Sequence, residues 1–328
     1  MTPKLSICIP TYNRGAFIGE TLESVISQAT EDVEIVISDN ASNDNTESIV
    51  QYYTQRFPRI TFFKWEQNRG ADKNYFKVVD LAKGDYCWFL GSDDCIKPGA
   101  IKRILNEIEN NYDILLCNRT ECDYKLRPKR DRDYLSSNIG DRVFDFLNKK
   151  ELIEYLYNAT SLGALFSYLS SIIFCRTCWN EQIFDKNLRN TAYSHVFMLF
   201  SFCSQRCKLK YIKNPLVLCR GDNDSFMDSG IVARFLLDLD GYLILADKLF
   251  IDDEVKKAFL KVMTREHSYL RILKIKYLNN QIDLGNNIDK LLLKFGYKHK
   301  LLVLCNRISK YKRVVSTAIR AKKIMSNI

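Results

Sequence analysis

Short apolar runs recur along the first third of the chain, and each is followed by a cluster of polar residues. Runs of four to six residues that are rich in Ile, Val and aromatic side chains are typical of buried strands. Amphipathic segments of helical length separate these runs. The pattern therefore predicts strands at residues 5–10, 33–37, 60–65, 85–90 and 112–117.

Strands and helices that alternate at these spacings require crossover connections, so the predicted sheet is mostly parallel. In such a sheet the ligand lies outside the carboxyl ends of the strands. Polar clusters occupy four of these ends, at residues 10–14, 38–42, 68–74 and 91–94. Loops are often polar for no functional reason, but four clusters along one edge favour a binding site.

The tetrad Gly91-Ser92-Asp93-Asp94 places two adjacent carboxylates at the end of the fourth predicted strand. Adjacent like charges repel, and each disfavours the ionised form of the other. A divalent cation removes that cost, because Mg²⁺ binds one or two carboxylates together with phosphate oxygens. The alternative is an Asp-Asp turn that caps the helix predicted from Pro98.

Other side chains in the clusters suit a nucleotide. Tyr12 could stack on a pyrimidine, and Asp39 could accept a hydrogen bond from the amino group of cytosine or the imide of uracil. The residues alone therefore leave CDP and UDP open. Four cations in or near these loops suit a diphosphate, with a surface role as the alternative for each: Arg14, Arg69, Lys73 and Arg220. There is no Walker-type loop and no G-x-G-x-x-G after the first strand, which argues against P-loop and dinucleotide enzymes.

Length and composition indicate a soluble globular protein. The chain has 328 residues, of which 46% are hydrophobic and 27% charged. No apolar run reaches the ~18 residues of a membrane span, and the N-terminus leads into a strand rather than a signal peptide. The 11 cysteines are scattered and often lie inside apolar runs, which predicts reduced thiols in the cytoplasm. Cys175 and Cys178 form one Cys-x-x-Cys without a second pair, so a zinc site is disfavoured.

The net charge of +10 is uneven, since no acidic residue follows Asp289. Basic residues interleave with Leu, Ile and Val there: Lys294, Lys298, Lys300, Arg307, Lys310, Lys312, Arg313, Arg320, Lys322 and Lys323. This pattern predicts basic amphipathic helices that suit an anionic membrane surface. Packing on the protein's own domain is the alternative. Nucleic acid is disfavoured as a partner, because no aromatic residues interleave there as stacking platforms.

Residues 9–14, 38–42, 68–70 and 84–94 together resemble family 2 glycosyltransferases of the GT-A fold, over roughly residues 4–120. The resemblance implies a Rossmann-like, mostly parallel sheet flanked by helices and a nucleotide-sugar donor. It also implies Mg²⁺ or Mn²⁺ as cofactor, with Asp94 as a catalytic metal ligand. The implied donor-site residues at the nucleotide base are Pro10, Tyr12 and Asp39. Asn68 and Arg69 lie in the polar cluster after the third predicted strand, and Asp93 and Asp94 are implied at the ribose and the metal. The family often has an acidic residue where Gly91 stands, so two carboxylates at most are available here.

Residues 85–88, 166–171, 194–197 and 219–226 are further similar to bacterial O-antigen abequosyltransferases. Those enzymes transfer a 3,6-dideoxyhexose from a CDP donor to a mannose of a lipid-linked oligosaccharide. This resemblance implies a peripheral protein on the cytoplasmic face of the inner membrane. The alternatives are a UDP- or dTDP-sugar enzyme of another surface polysaccharide, an inactive sugar-nucleotide-binding scaffold, and a nucleotidyltransferase. The last usually opens with a Gly-rich basic loop, which this chain lacks.

The acceptor side departs from the family pattern. Inverting members place a carboxylate base at the start of a late helix, where this chain has Tyr193-Ser194-His195. His195 is the candidate base, because imidazole titrates near neutral pH, with acceptor binding or an interior position as alternatives. A retaining transfer in which a donor phosphate oxygen takes the proton would need no enzymatic base.

The expected organisation is a catalytic domain over residues 1–230 and a helical, basic region over 231–328. The catalytic domain comprises a nucleotide-binding half, 1–120, and an acceptor half, 121–230. Helices are predicted at 235–250 and 255–278. Aromatic residues of the acceptor half could stack on sugars or belong to the core: Phe166, Tyr168, Trp179, Tyr193 and Phe226.

Overall fold

The computed structural model describes residues 2–185, 188, 193–202, 207–223, 230–279, 287–311 and 315. The strands of these residues are β1 (Leu5–Thr11), β2 (Val33–Asp39), β3 (Ile60–Lys64), β4 (Tyr86–Phe89), β5 (Cys95–Ile96), β6 (Ile114–Cys122), β7 (Pro128–Arg132), β8 (Arg142–Asp145), β9 (Ile172–Cys175) and β10 (Lys208–Cys219). They join one sheet in the order β3-β2-β1-β4-β9-β6-β10-β5, with β7 beside β6 and β8 beside β10.

The pairing is parallel along β3, β2, β1 and β4, and again between β6 and β10. Strand β9 lies between β4 and β6 and is antiparallel to both. The predicted parallel arrangement is therefore confirmed for β1 to β4 and for β6 with β10, whereas β5, β7 and β8 also pair antiparallel, so the sheet as a whole is mixed. The fifth predicted strand, 112–117, is longer than expected and extends as β6 to Cys122.

The helices of the described residues are α1 (Gly15–Ile26), α2 (Thr46–Arg56), α3 (Ala71–Leu81), α4 (Ala100–Ile108), α5 (Lys149–Asn158), α6 (Arg176–Asn180), α7 (Ser194–Ser201), α8 (Gly230–Leu249), α9 (Asp253–Glu266), α10 (Tyr269–Asn279), α11 (Asn287–Lys294) and α12 (His299–Ile308). Short 3₁₀ turns occupy Leu162–Leu165 and Leu169–Ser171. The helix predicted at 255–278 is two helices, because the backbone of His267 is extended (φ −113°, ψ 92°) and ends α9.

The centre of the sheet is buried on both faces. Every residue of β1 and β2 is buried, whereas the edge strand β3 is half-buried. The buried carboxylate of Glu34 accepts hydrogen bonds from the Ser6 hydroxyl and the Lys83 amide, both at 2.6 Å. Only glycine fits at Gly84, because a Cβ there would lie 2.8 Å from the Ser6 backbone nitrogen. This network fixes the start of β4 against β1 and β2.

Residue contacts divide the chain into two compact units, residues 1–159 with 163–223 and residues 160–162 with 224–328. The described part of the second unit is helical. There α10 and α12 pack around Leu273 and Cys305, and the buried Lys276 bonds to Asp289 and Asn306. None of the helices in the described ranges is long and apolar enough to cross a membrane.

Candidate functional site

Hydrogen bonds join the polar clusters that follow β1 and β2. The Asn13 amide donates to the Ser42 hydroxyl at 2.8 Å, and the Asn43 amide donates to the Asn13 side-chain oxygen at 3.0 Å. Asn13 has φ 51°, a left-handed conformation that Asn tolerates. The Gly15 amide donates to the Asp44 carboxylate at 2.9 Å. The two loops therefore hold each other in place at the carboxyl edge of the sheet.

The third cluster joins the same edge through Asn40. Its side chain donates to the Asn68 side-chain oxygen at 2.8 Å and accepts from the Arg69 amide at 2.7 Å. The side chains of Asn68, Arg69 and Lys73 are exposed, and the Arg69 guanidinium lies 5.9 Å from the centre of the Trp65 ring. Exposed cations above a rigid loop are free to meet an anionic ligand.

Asp39 is the last residue of β2 and is fully buried, and its two carboxylate oxygens differ in their hydrogen bonding. One accepts hydrogen bonds from the amide and hydroxyl of Ser42, at 3.0 and 2.5 Å, while the other has no partner. Burial raises the pKa of Asp39. Tyr12, the first residue of the neighbouring loop, is 42% exposed, and Pro10 is buried within β1. An unpartnered buried oxygen beside an exposed ring is suited to a planar ligand that donates a hydrogen bond.

Two further buried polar atoms at these strand ends have no partner, the hydroxyl of Thr11 and the indole N–H of Trp65. Thr11 pairs with Asp39 in the sheet, and the Trp65 amide donates to the Asp39 carbonyl at 2.9 Å. The sequence reasoning did not single out either residue as a ligand contact. Thr11 directly follows the first predicted strand and Trp65 ends the third, and these positions were the available signal.

Asp94 is the more buried member of the carboxylate pair that follows β4. One oxygen accepts from the hydroxyls of Tyr168 and Ser170, at 2.6 and 2.5 Å, and the other accepts from the Arg220 amide at 3.0 Å. Burial first, and then the charge of Asp93, raise the pKa of Asp94 to about 7. The carboxylate therefore takes up a proton more readily than an exposed aspartate does, unless a cation compensates its charge.

Asp93 is less enclosed, with 20% of its side chain exposed. Its Oδ2 accepts from the Asn223 side chain at 2.6 Å and lies 3.8 Å from the Nε of Arg14. Burial raises the pKa of Asp93, and the Arg14 charge acts against that rise. The structure thus brings Arg14, Asp93 and Asp94 together, from the loops after two adjacent strands.

Gly91 explains why a third carboxylate is absent from the tetrad. A Cβ at this position would lie 2.8 Å from Asp94 Oδ2 and 3.2 Å from the Ser170 hydroxyl. The Gly91 amide donates to that same hydroxyl at 2.8 Å. Hydroxyl donors occupy the space beside Asp94 that an acidic side chain would need. The sequence predicts Tyr168 either as a sugar-stacking ring or as a core residue, and it gives no site role to Ser170.

Arg220 lies inside the protein rather than at the surface. Its Nε donates to the Asp93 carbonyl at 2.8 Å, one terminal nitrogen donates to the Tyr124 carbonyl at 2.7 Å, and the other pairs with Glu20 at 3.0 Å. Its side chain is 2% exposed and lies 4.9 Å from the ring of Phe17. These contacts make Arg220 a support for the carboxylate pair, not a free cation for a diphosphate.

His195 is also an interior residue, in the first turn of α7. Its Nε2 donates to the Phe166 carbonyl at 2.9 Å, its Nδ1 has no partner, and its ring meets the edge of Tyr75. Burial lowers the pKa of His195 to about 4. A buried imidazole that is neutral and this weakly basic is poorly suited to take a proton from a sugar hydroxyl.

The other aromatic candidates of the acceptor half belong to the core. Phe166, Trp179 and Tyr193 are buried, and Phe226 lies outside the described residues.

The carboxylate pair is chemically suited to a divalent cation. A cation would offset the repulsion between Asp93 and Asp94, and 20% of the Asp93 side chain is exposed. In the described ranges no group of three or more His, Cys, Asp or Glu side chains is arranged to hold a metal. Phosphate oxygens and water would therefore complete the coordination of a cation held here.

The model of the family described as "Glycosyl transferase family 2" matches residues 6–170. The abequosyltransferase RfbV of Salmonella typhimurium is 35% identical over 328 residues, which cover 98% of this chain and 94% of that protein. The GalNAc(5)-diNAcBac-PP-undecaprenol beta-1,3-glucosyltransferase of Campylobacter jejuni is 33% identical over 113 residues, or 34% of this chain and 36% of that protein.

Two solved structures share the fold at low sequence identity. S. aureus TarS 1–349 in complex with UDP has a TM-score of 0.63 and 17% identity, and the match covers 97% of this chain and 92% of that one. The mannosyltransferase PcManGT of Pyrobaculum calidifontis, in complex with GDP-Man and Mn²⁺, has a TM-score of 0.57 and 14% identity over 97% and 87% of the two chains. With the family model over half of its length and a full-length relative, the chain belongs to glycosyltransferase family 2 and is a glycosyltransferase of the GT-A fold.

Proposed function

We propose that the protein transfers a 3,6-dideoxyhexose, abequose or a relative, from a CDP donor to a lipid-linked oligosaccharide during bacterial O-antigen synthesis. The observation that supports this proposal is the carboxylate pair, in which the buried Asp94 adjoins Asp93 and Asp93 lies beside Arg14. Such a pair suits sugar transfer from a nucleoside diphosphate donor. Similarity to the Salmonella abequosyltransferase along nearly the whole chain supports the sugar and the acceptor class. A UDP- or dTDP-sugar enzyme and an inactive scaffold are the alternatives.

In this proposal Asp93 and Asp94 hold Mg²⁺ or Mn²⁺ at the donor diphosphate. When bound, the cation stabilises the negative charge that develops on the departing diphosphate. Tyr168 and Ser170 fix the orientation of Asp94, and Arg14 and Asn223 fix that of Asp93. Asp94 keeps its place because its hydrogen bonds come from the protein and not from the ligand.

The nucleotide base binds at the ends of β1 and β2. The unpartnered oxygen of Asp39 accepts a hydrogen bond from the cytosine amino group, and Tyr12 stacks on the ring. The exposed Arg69 and Lys73 face the diphosphate, whereas the buried Arg220 acts only by supporting Asp93 and Asp94.

The acceptor proton does not go to His195, whose burial and low pKa assign it to the core. No carboxylate stands in the first turn of α7. Donor and product of the resembled enzymes are both α-linked, so the transfer retains configuration. In a retaining transfer that takes place on one face of the sugar, an oxygen of the donor phosphate can accept the proton of the acceptor hydroxyl. No enzymatic base is then needed.

In this proposal the helices from Asn287 onward, α11 and α12, bind the membrane surface. Leu301 and Leu304 lie three residues apart on α12 and are 38% and 49% exposed. Lys300 and Arg307 lie on the same short helix. Exposed leucines beside basic residues suit the anionic, cytoplasmic face of the inner membrane. The predicted basic residues from Lys312 onward lie outside the described residues.

The first prediction concerns the metal. Asp94→Asn should lower turnover by ~10²-fold or more, because a metal contributes several kcal/mol of charge stabilisation. Because the pKa of Asp94 is raised to about 7, Mn²⁺ titrations should show tighter binding at pH ~8 than at pH ~6, where the proton competes. Asp222→Asn is the matched control, since Asp222 is 78% exposed. Full activity of Asp94→Asn, or of the wild type in EDTA, would contradict the metal role.

The second prediction concerns the base and the donor. Asp39→Asn should weaken CDP binding by about 1–3 kcal/mol in calorimetry, the cost of losing a hydrogen bond and leaving a buried partner unpaired. Asp32→Asn, a surface change at the opposite end of the same strand, should bind CDP like the wild type. Transfer assays with CDP-, UDP-, GDP- and dTDP-sugars should show turnover with the CDP donor. Tighter binding of UDP than of CDP would refute the cytosine assignment, and no transfer from any donor would favour the scaffold.

The third prediction separates the two roles of His195. Gln can present its amide N–H to the Phe166 carbonyl as Nε2 does, but it cannot act as a base. His195→Gln should therefore keep near-normal turnover, and NMR of the product should show a retained α linkage. A loss of ~10²-fold with unchanged thermal stability would restore His195 as general base.

The fourth prediction concerns the membrane. Replacing both Leu301 and Leu304 by Ser should reduce cosedimentation with phosphatidylglycerol vesicles by about tenfold or more, since each buried leucine contributes about 1.5–3 kcal/mol. High salt should weaken binding of the wild type as well. Ile251→Ser removes a fully exposed apolar side chain outside the basic helices and is the control. If the double variant sediments like the wild type, α12 is not the contact.

A further inference from the structure

A second group of reactive side chains lies at the opposite edge of the sheet, where the parallel strands begin. Cys175 ends β9 opposite Tyr86, the first residue of β4, and it is also the N-cap of α6. Cys178 follows in the first turn of that helix and is buried. The Cys175 sulfur lies 3.0 Å from the Thr177 hydroxyl, and the amides of Thr177 and Cys178 donate to it.

A cavity of about 440 Å³ lies beside Cys175. It is lined by Cys175 and Thr177 together with polar residues from the starts of neighbouring strands, among them Lys4, Asp85 and Asp113. Of the cysteines in the described ranges, Cys175 and Cys219 are partly exposed and the others are buried. A small molecule in this cavity therefore reaches a thiol, which sets Cys175 apart from the buried cysteines of the core.

Asp113 provides a proton acceptor for the second thiol. The Cys178 thiol donates to Asp113 Oδ1 at 3.4 Å, and Asp113 is 6% exposed. The other oxygen of that carboxylate accepts from the Lys208 amide at 2.8 Å, which fixes the orientation of the group. A buried thiol beside a fixed carboxylate can lose its proton without access to bulk water.

We propose that Cys175, Cys178 and Asp113 form a thiol–disulfide exchange site that takes a low-molecular-weight disulfide, such as oxidised glutathione, in this cavity. The Cys175 thiolate attacks one sulfur of the disulfide, which forms a mixed disulfide and releases one small thiolate. Asp113 accepts the proton of Cys178, whose thiolate attacks the Cys175 sulfur and releases the second small thiolate. The two protein thiols lose two electrons and two protons, and the small disulfide gains them as two thiols.

The electrostatics of the site support this assignment of roles. When the single S–H of Cys178 points to Cys175 rather than to Asp113, that hydrogen bond, together with those of Thr177 and the two amides, lowers the pKa of Cys175 to about 6 against the opposing effect of burial. Burial raises the pKa of the similarly exposed Cys219 to about 12. Cys175 is therefore the more readily ionised of the two thiols, and the thiolate is the form that reacts.

The two partly exposed cysteines provide an internal comparison in the unmodified protein. Alkylation of the reduced, full-length protein with iodoacetamide at pH ~7, followed by peptide mapping, should modify Cys175 at least ~10²-fold faster than Cys219. Oxidised glutathione added to a separate, unalkylated sample should give a Cys175–Cys178 disulfide, found by mass spectrometry after digestion with a protease that does not cleave at Arg176. Equal alkylation rates, or a glutathione adduct that persists on Cys175 in the wild type, would overturn the proposal.

Variants test the two steps separately. Cys178→Ser should trap one glutathione on Cys175, because the resolving thiol is missing. Asp113→Asn should form the mixed disulfide at the wild-type rate but resolve it ~10-fold more slowly or worse, since the proton acceptor is lost. Cys219→Ser should form the disulfide like the wild type. Resolution at the wild-type rate in folded Asp113→Asn would overturn the role of Asp113, and no adduct in Cys178→Ser would overturn that of Cys175.

Discussion

Burial of two adjacent carboxylates at the end of β4 is the constraint on which the donor site depends. An uncompensated buried charge costs several kcal/mol, so each oxygen of the pair must meet donors or a cation. Asp94 accepts hydrogen bonds from the hydroxyls of Tyr168 and Ser170 and from the amide of Arg220. Asp93 accepts a hydrogen bond from Asn223 and lies close to Arg14. Segments far apart in sequence must therefore meet at this point before the pair can be buried.

The strand order satisfies this requirement in a simple way. Parallel strands β1, β2 and β4 bring their carboxyl ends to one edge, and β10 ends there as well, so that Arg220 follows it directly. Strand β9 runs the other way, and its beginning therefore lies at that edge. Ser170, just before β9, reaches Asp94 for this reason. The antiparallel strand β9, between the parallel strands β4 and β6, thus contributes from its start what these neighbours contribute from their ends.

The sequence was sufficient for what depends on local pattern. The apolar runs located β1 to β4, and their order along the chain placed four polar clusters on one edge. The contacts that form across the sheet could not be predicted from the local pattern. Arg220 and His195 are both polar and both near the site, yet the fold encloses them, which decides against the contacts that their chemistry alone suggested. Trp65 was assigned to a strand, and its unpartnered indole N–H became apparent only once β3 had been placed beside β2.

Strand β9 connects the two chemistries of this protein, since Ser170 precedes it at the donor site and Cys175 ends it at the thiol site. The strand is paired with β4 on one side and β6 on the other. Sliding it along its axis would break the hydrogen bonds of both pairs at once. The proposed disulfide would join Cys175, the last residue of β9, to Cys178 in the first turn of α6. The donors to Asp94 lie at the other end of the paired strand, so the proposed thiol exchange would leave them in place.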